Sequence, residues 1–348
     1  MAIGIETHRP VITGVSHIAS TGHYLATAAA YRILEQGGNA TDAGIAAGLV
    51  LNVVLPQYTS FGGVAPIIIY DKASNQTKSV SGLGRWPKDA SVEYFEKNHN
   101  SELPAGILRT VTPSAADAWM TALKTFGTMK FEDVVRPAWE LAENGFPIPA
   151  SLHNALVKEG DKLVHDEGEG VFWSTSMDVF FRNGIALQTG QLLVQKDLAN
   201  TFNRLIEVEK ACQSLGREGA IQSARDYFYK GQIAEEMIAF SQSQGGLLSM
   251  DDLKEFSVEI ETPPSISYKD CEVYSCGPWC QGPVTLQTLK ILETCDLVSM
   301  GHNSASYLHT VVEALKLAFA DRHSFYGDPD FVNVPMEGLL SGGYAKLG

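Results

Sequence analysis

Cysteine is scarce in this chain of 348 residues, which contains five cysteines at irregular spacing. The odd count and the loose spacing argue against a disulfide framework, so free thiols are expected. Cys276 and Cys280 lie close in the sequence, but no C-x-x-C or H-x-x-x-H pattern accompanies them to complete a metal site. Cys280 also has no basic neighbour in the sequence that would mark it as a nucleophile. A cytoplasmic location is the resulting expectation.

Long hydrophobic runs and clusters of positive charge are also missing. No apolar stretch reaches membrane-spanning length, and residues 1–20 lack the hydrophobic region and cleavage pattern of a signal peptide. The formal charge is -14, and an acidic surface repels phosphate backbones, so neither nucleic acid nor a membrane is an expected partner. The patterns GxGxxG, Walker A and HExxH do not occur in the sequence, so no cofactor and no metal are expected.

Apolar residues make up 45% of the chain, and at its start they follow helical spacing. An alanine-rich helix is predicted over residues 24–36 and ends at the glycine pair that follows. A second helix, capped by Asn39 or Thr41, is predicted to run to about Leu49. Its many small residues predict close packing against a neighbouring element.

Strand patterns follow, separated by a long helical region. Residues 64–70 and 77–81 flank a turn, which predicts a hairpin. Residues 113–245 are mostly helical in pattern. The later predicted elements are a helix starting at Ser249, extended segments at 258–267 and 272–275, helices at 285–295 and 304–323, and a turn at 327–330. Because helices and strands come in separate runs, the sequence predicts an α+β fold rather than alternating β-α-β units.

Eight separated segments of the chain carry distinctive motifs. In chain order they are LATAAAYRILEQGGNATDAGIAA (25–47), LVLNVVLPQYTSFGGVAPIIIYD (49–71), VTPSAADAW (111–119), AWELAENGFPI (138–148), FYKGQIAEEM (228–237), GGLLSMDDLKEF (245–256), GPWCQGPVTLQTLKILE (277–293) and ADRHSFYGDPDF (320–331). Together they resemble the γ-glutamyltransferase (γ-glutamyltranspeptidase) family. Their order and spacing fit the family's large subunit from near its start to near its end.

The resemblance implies an Ntn-hydrolase with an αββα sandwich, in which residues 1–348 are the helix-rich large subunit of a single domain. Such enzymes are made as one precursor that cuts itself before a threonine, and that threonine, at the head of the small subunit, is the nucleophile. No catalytic residue is therefore expected in this chain, since Thr59 and Thr112 are internal and cannot supply a free amine. The implied partners are the small subunit, which completes the core, and a small-molecule amide substrate. A dimer of such heterodimers is left open.

One segment departs from the family pattern where the substrate is bound. The γ-glutamyl enzymes carry D-x-R-E-x-A-P, whose arginine holds the α-carboxylate of the glutamyl group through a planar fork of donors. This chain has Ser81-Gly-Leu-Gly-Arg-Trp-Pro87, which puts Leu83 in the arginine position and Arg85 two residues later. Either Arg85 binds the carboxylate from a rearranged loop, or the site no longer recognises a γ-glutamyl group. The second interpretation is favoured because side-chain direction changes with each residue of an extended segment. A surface or structural arginine is the plain alternative.

The other substrate-binding candidates are Gln57, Tyr58, Gly62 and Gly63. Glycines let a backbone approach a ligand, and adjoining loop residues can line a cleft. A plain turn before the strand explains the two glycines equally well. Trp86 forms an apolar wall or simply packs.

The charged residues of the ADRHSFYGDPDF segment are Asp321, Arg322, Asp328 and Asp330. Paired carboxylates can perform acid–base chemistry. A helix end and a turn held by Asx hydrogen bonds and an ion pair explain this set better.

Three functions are compatible with these features. The leading one is an autoprocessed amidohydrolase acting on a small amide without a γ-glutamyl group, such as oxamate. The second is a γ-glutamyl transferase or hydrolase acting on glutathione, which requires Arg85 as the carboxylate ligand. The third is a non-catalytic family member that binds a ligand or partner.

Overall fold

The computed structural model describes residues 11–164 and 174–347, of which residues 159–164 and 174 are described by their backbone alone. Residues 1–10, which the signal-peptide interpretation includes, lie outside the described residues, and so does Gly348. The chain divides into two compact units. The first unit comprises Met1–Gly63, Arg85–Thr112 and Trp119–Phe256, and the second comprises Val64–Gly84, Pro113–Ala118 and Ser257–Gly348. That residues 1–348 act as part of one domain stays a prediction.

The secondary structure combines many helices with short strands. The helices are α1 (Tyr24–Glu35), α2 (Ala40–Val54), α3 (Val92–His99), α4 (Ala115–Phe126), α5 (Phe131–Asn144), α6 (Ala150–Val164), α7 (Ser174–Phe180), α8 (Lys196–Ala211), α9 (Gly216–Lys230), α10 (Gln232–Ser243), α11 (Met250–Glu255), α12 (Gly282–Leu292), α13 (Leu297–Met300), α14 (Ala305–Phe325), α15 (Met336–Leu339) and α16 (Gly342–Ala345). The strands are β1 (Ile67–Asp71), β2 (Gln76–Val80), β3 (Phe146–Pro147), β4 (Phe181–Arg182), β5 (Ile185–Ala186), β6 (Leu192–Leu193), β7 (Ile260–Glu261), β8 (Ser265–Tyr268) and β9 (Cys271–Tyr274). Among the described residues, no helix combines the length and the hydropathy needed to cross a membrane.

Helix α2 begins with a reciprocal cap. The side chain of Asn39 accepts from the Asp42 amide at 2.9 Å, and the Asp42 carboxylate accepts from the Asn39 amide at 2.9 Å. Asp42 is fully buried, and it also accepts from the amide and hydroxyl of Thr128. Asn39 is thus the cap that the sequence offered beside Thr41. The helix runs to Val54, beyond the predicted end at Leu49, because its buried apolar face continues through the last turn.

In the first unit, α1 packs on α2, α2 on α5, α5 on α8 and α8 on α9. Gly48 permits a close approach in α2, since a Cβ there would lie 2.5 Å from the Trp119 ring. The first backbone amides of α5 donate to a residue that is distant in the sequence. The buried Glu209 carboxylate on α8 accepts from the amides of Phe131 and Glu132 at 2.7 and 2.8 Å. The small residues of the second predicted helix therefore do allow close packing.

The second unit contains an antiparallel sheet in the order β1-β2-β7. The predicted hairpin is confirmed, with Ile67 opposite Val80 and Asp71 opposite Gln76. The segment predicted as extended over 258–267 is interrupted between β7 and β8, where Pro263 and Pro264 cannot donate ladder hydrogen bonds. Strands β8 and β9 form a separate hairpin.

Helix α12 packs on α14, α16 and β8 in the same unit. It starts at Gly282, three residues before the predicted start at Thr285, with Pro283 in its first turn. A small core joins Ile291, Leu292, Ala314 and Ala345. The two units together give the predicted α+β composition.

Candidate functional site

The loop after α2 holds four of the five predicted substrate-binding residues. The amides of Tyr58 and Thr59 both donate to the carbonyl of Leu55, at 2.9 and 3.0 Å, so the chain turns directly at the helix end. Phe61 is buried and makes edge-to-face contacts with two aromatic rings, at 5.2 Å to Phe202 and 5.3 Å to Phe228. Phe61 therefore anchors the loop in the first unit.

The side chains of this loop differ in exposure. Tyr58 is 78% exposed, and Gly62 is exposed with open space where a Cβ would project. Gly63 donates its amide to the carbonyl of Ser60 at 3.0 Å, which closes a tight turn. The loop thus presents one aromatic side chain and one open stretch of backbone at its surface.

Gln57 has the least ordinary environment in this loop. Its side-chain Oε1 and Nε2 are both shielded from solvent, as is the Thr59 hydroxyl, and none of the three has a hydrogen-bond partner among the described residues. A buried polar group without a partner costs about 1–3 kcal/mol. These atoms are accordingly available to a water molecule, a ligand or another chain. A substrate-binding role for Gln57, Tyr58, Gly62 and Gly63 stays a prediction.

The segment that departs from the family pattern is fixed on its second-unit side by Gly82. This residue has φ +45°, and a Cβ there would lie 2.0 Å from the Ala65 carbonyl oxygen. Its own carbonyl accepts from the Ala65 amide and the Ser114 hydroxyl, both at 2.8 Å. Only glycine fits this position. Leu83, in the arginine position of the family pattern, follows directly and is 38% exposed.

Arg85 lies in the first unit, on a different segment from the Gln57 loop. Its side chain is exposed, and its carbonyl accepts from the Thr112 amide at 2.8 Å. The adjacent Trp86 lines a cavity of about 380 Å³ together with Val92, Phe95 and Leu103. Trp86 contributes an apolar side to this cavity, and its part in a substrate site stays a prediction. Carboxylate binding by Arg85 stays a prediction.

The second unit contains a thiol–carboxylate cluster, defined here as Glu261, Cys276, Trp279 and Cys280. The Trp279 indole donates to the Glu261 carboxylate at 3.0 and 3.2 Å. Burial nevertheless raises the pKa of the Glu261 carboxyl, because removal from water penalises its charge more than the indole hydrogen bond favours it. Perturbed carboxyl groups are common at functional sites, and structural networks produce them as well.

The two thiols of this cluster interact directly. A hydrogen bond from Cys276 stabilises a thiolate at Cys280 and lowers the pKa of Cys280 to about 7, while the same bond raises the pKa of Cys276. The Gly282 amide also donates to the Cys280 sulfur at 3.3 Å, which favours Cys280 as the thiolate of the pair. The sequence showed no basic neighbour for Cys280, and the structure supplies a thiol and a backbone amide instead. In the described parts of the chain, no three His, Cys, Asp or Glu side chains form a group that could hold a metal ion.

Comparison with known proteins agrees with this geometry. The sequence pattern of the family described as Gamma-glutamyltranspeptidase matches residues 26–347. The chain belongs to this family. It is 33% identical over 337 residues to the glutathione hydrolase-like YwrD proenzyme of Bacillus subtilis (strain 168), an alignment that covers 96% of this chain and 60% of that relative. The curated relatives are matched over 52% to 60% of their own length.

Two solved structures of Ntn-hydrolases show the same fold. Helicobacter pylori gamma-glutamyltranspeptidase superimposes with a TM-score of 0.85 at 30% identity, covering 97% of this chain and 92% of that chain. The cephalosporin acylase from Bacillus halodurans gives a TM-score of 0.84 at 27% identity, covering 100% of this chain and 62% of that chain. The gamma-glutamyltranspeptidase family membership and the α+β Ntn-hydrolase fold expected from the sequence are both confirmed.

Two aspartates of the ADRHSFYGDPDF segment lie in different surroundings. Asp328 holds the predicted turn, since its carboxylate accepts from the Asp330 amide at 3.0 Å. Asp321 instead joins Gln287 and Tyr344 in a polar network. Gln287 belongs to the segment GPWCQGPVTLQTLKILE and Asp321 to the ADR segment, whereas Tyr344 lies in none of the motifs.

Proposed function

We propose that this chain is the large-subunit part of an amide-hydrolysing or acyl-transferring enzyme whose threonine nucleophile lies on a small subunit from the same precursor. The relatives named as proenzymes are longer than this chain, which supports a further part of the precursor. The H. pylori chain, in contrast, is matched over nearly its whole length. A precursor divided close to the end of the present sequence accounts for both observations.

The observation that carries the proposal is an exposed apolar stripe on α14, formed by Leu308, Val312, Leu315 and Phe319. These residues are 50%, 50%, 36% and 37% exposed, and their spacing of four, three and four puts them on one side of the helix. Ala314 and Ala318 are the buried residues of α14, and they lie on a different side. A contiguous apolar stripe marks an interaction surface. We assign it to the small subunit.

The proposed chemistry needs no cofactor. The hydroxyl of the N-terminal threonine attacks the amide carbonyl of the substrate while the free α-amine of the same residue accepts its proton. The amide C–N bond breaks, the leaving amine takes up a proton, and the acyl group remains on the threonine oxygen. Water or a second amine then accepts the acyl group. In this scheme Arg85, Gln57, Tyr58, Gly62 and Gly63 bind and orient the substrate.

For the substrate we favour a small amide without a γ-glutamyl group, such as oxamate. The support is Leu83, which occupies the arginine position of the γ-glutamyl-binding pattern and is an apolar side chain. A γ-glutamyl compound such as glutathione is the second candidate. It is favoured by the relative named glutathione hydrolase-like and by the exposed guanidinium of Arg85 nearby in the chain. A non-catalytic binding member is the third.

The first experiment examines the product of the natural gene. Intact mass and N-terminal sequencing of everything that copurifies will give two chains, the second beginning with threonine, if the proposal holds. A single uncut chain, or a partner without that threonine, contradicts it and favours the non-catalytic member. A cytoplasmic location and a dimer of heterodimers are further proposals, checked by cell fractionation and by the mass of the native assembly.

The stripe on α14 is tested with charge. Val312→Glu places a carboxylate in the stripe and should abolish copurification of the small subunit, because an unpaired charge in an apolar interface is costly. Glu313→Ala is the matched control, since Glu313 is partly exposed and lies about 100° from Val312 around the same helix. Equal yields of small subunit with both variants would show that the stripe is not part of the interface.

The two substrate candidates are separated at Arg85. If glutathione is the substrate, Arg85→Lys should raise its KM, because a lysine keeps the charge and loses the fork that matches a carboxylate. Arg85→Ala should raise it further. Unchanged glutathione turnover in Arg85→Ala excludes the arginine as its carboxylate ligand. Turnover of oxamate in the same assays identifies the favoured substrate directly.

A further inference from the structure

A polar network connects three helices of the second unit near the end of the described chain. The Asp321 carboxylate on α14 accepts from the Tyr344 hydroxyl on α16 at 2.9 Å, and its other oxygen accepts from the side-chain amide of Gln287 on α12. The Tyr326 hydroxyl donates to the Gln287 carbonyl oxygen at 3.2 Å. Gln287 is 1% exposed, so the network extends from the interior to the surface. These four residues are called the Asp321 network.

The network attaches α16 to α14 within this unit through Tyr344. Ala345 of the same helix is buried in the small core with Ile291, Leu292 and Ala314. An apolar contact of this kind is non-directional and leaves the helix free to rotate. The bond from Tyr344 to Asp321 is directional, because hydrogen bonds weaken steeply away from linear geometry. Together they fix both the depth and the rotation of α16.

The donors of the network keep their protons at neutral pH. Burial raises the pKa of Tyr326 to about 12, and the hydrogen bond to Asp321 raises the pKa of Tyr344. Both hydroxyls therefore remain donors over the range in which the protein is handled. The bond between Tyr344 and Asp321 is charge-assisted, which makes it stronger than a neutral pair.

We propose that Asp321 and Tyr344 are positioning residues for cleavage of the precursor. The inference rests on the proposed function, in which the chain continues past residue 348 to a threonine. Because α16 ends at Ala345, its rotation sets the direction in which the residues that follow it leave the second unit. Asp321 does not touch the reacting atoms, and it acts through Tyr344 and α16.

The cleavage step explains why direction matters. The threonine hydroxyl adds to the carbonyl carbon of the preceding residue, the peptide C–N bond breaks, and the proton passes to the freed amine. Water then hydrolyses the resulting ester, giving a carboxylate on the large chain and restoring the hydroxyl. A reaction within one chain depends on near-attack geometry, in which a displacement of about 1 Å costs on the order of 100-fold.

The test follows cleavage of the full-length gene product in a cell-free translation, with the two chains resolved by mass over time. Tyr344→Phe removes one oxygen, and Asp321→Leu removes the acceptor at similar volume. Tyr344→Phe should slow cleavage about tenfold, the size of one charge-assisted hydrogen bond. Asp321→Leu should slow it at least as much, because it also removes the acceptor of the buried Gln287 amide. The double variant should be no slower than Asp321→Leu, because Asp321→Leu already removes the bond from Tyr344. Asp321→Asn keeps an acceptor for Tyr344 and should restore most of the rate.

Tyr274→Phe is the matched control, since Tyr274 lies on β9 in the same unit. The precursor with this substitution should be cleaved at the wild-type rate. Thermal unfolding of the purified variants separates positioning from folding, and Tyr344→Phe should unfold near the wild-type temperature. If the wild-type precursor cleaves and Tyr344→Phe cleaves equally fast, the inference is overturned and the proposed function stands. If the wild-type precursor never cleaves, the proposed function and the inference both fall.

Discussion

Helices α2 and α14 are both rich in apolar residues, but most residues of α2 are buried and few residues of α14 are. In α2, eleven of 15 residues are buried, including a continuous face from Ala43 to Val54. In α14, only Ala314 and Ala318 of 21 residues are buried. The first unit surrounds α2 with other helices, whereas α14 packs mainly on α12 within its own unit. Apolar composition therefore gives the capacity for burial, and the available neighbours decide whether burial occurs.

Polar side chains show the same dependence on burial at individual positions, and the second unit also holds a buried carboxylate, that of Asp117, which accepts from the Val258 amide at 2.8 Å. In the first unit, Asp42 and Glu209 are buried and accept several backbone amides, so they complete helix starts inside the core. In the second unit, Asp328 holds an exposed turn. Burial therefore decides how much each of these carboxylates contributes to the free energy of unfolding.

The largest expected effect tests the apolar part of this comparison. Leu49→Ala in α2 should lower the free energy of unfolding by about 2–5 kcal/mol, because it removes a fully buried side chain and leaves a cavity. Leu308→Ala makes the same chemical change in α14, where the side chain is 50% exposed, and should cost less than about 1 kcal/mol in this chain. Urea unfolding of both variants measures the difference. Similar losses would mean that α14 is buried in solution and that the contrast is false.

The next effect tests the polar part. Asp42→Ala leaves the Asn39 and Thr128 amides without their acceptor, and it should destabilise by about 1–3 kcal/mol. Asp328→Ala removes the acceptor of one exposed amide and should cost about 0.5 kcal/mol or less, because water replaces the bond. Thermal unfolding at matched pH ranks the two. Equal shifts in Tm would contradict the assignment of Asp42 to a buried cap.

The smallest expected effect concerns the thiol–carboxylate cluster, and the quantity measured there is the rate at which a thiol is alkylated. Cys280 should react first with iodoacetamide, and its rate should rise through about pH 7, where its thiolate forms. Cys276→Ala removes the donor that stabilises this thiolate, so the rise should move to higher pH. Cys271, which is exposed, serves as the comparison thiol. Peptide mapping after brief labelling identifies the modified residue. Preferential labelling of Cys276 would reverse the assignment of the pair.

Much of the local structure could be predicted from the sequence. The hairpin of β1 and β2, the cap at Asn39 and the helix start at Ser249 follow from periodicity and cap chemistry, which depend on residues a few positions apart. The family and the fold followed from motifs in a fixed order. Two predictions differed in extent: α2 continues to Val54 because its buried face continues, and prolines divide the extended segment predicted over 258–267 into β7 and β8.

The candidate site was less accessible to sequence reasoning. Gln57 was named as a loop residue, but its shielded and unpartnered amide depends on the packing around it. Cys280 had no basic neighbour in the sequence, and its lowered pKa comes from a thiol and an amide that the turn before α12 brings to it. Asp321 was assigned to a helix end, and its contact with Tyr344 joins residues that are distant in the chain.

The sequence by itself determined which segments form helices and the hairpin, which family the chain resembles and which residue types are present. These properties arise from short-range backbone and side-chain preferences, so neighbouring residues are sufficient to specify them. Only the tertiary structure decided which apolar faces are buried, which carboxylates accept backbone amides and which thiol ionises first. Those outcomes depend on desolvation and on distances between groups that the chain brings together only when it folds.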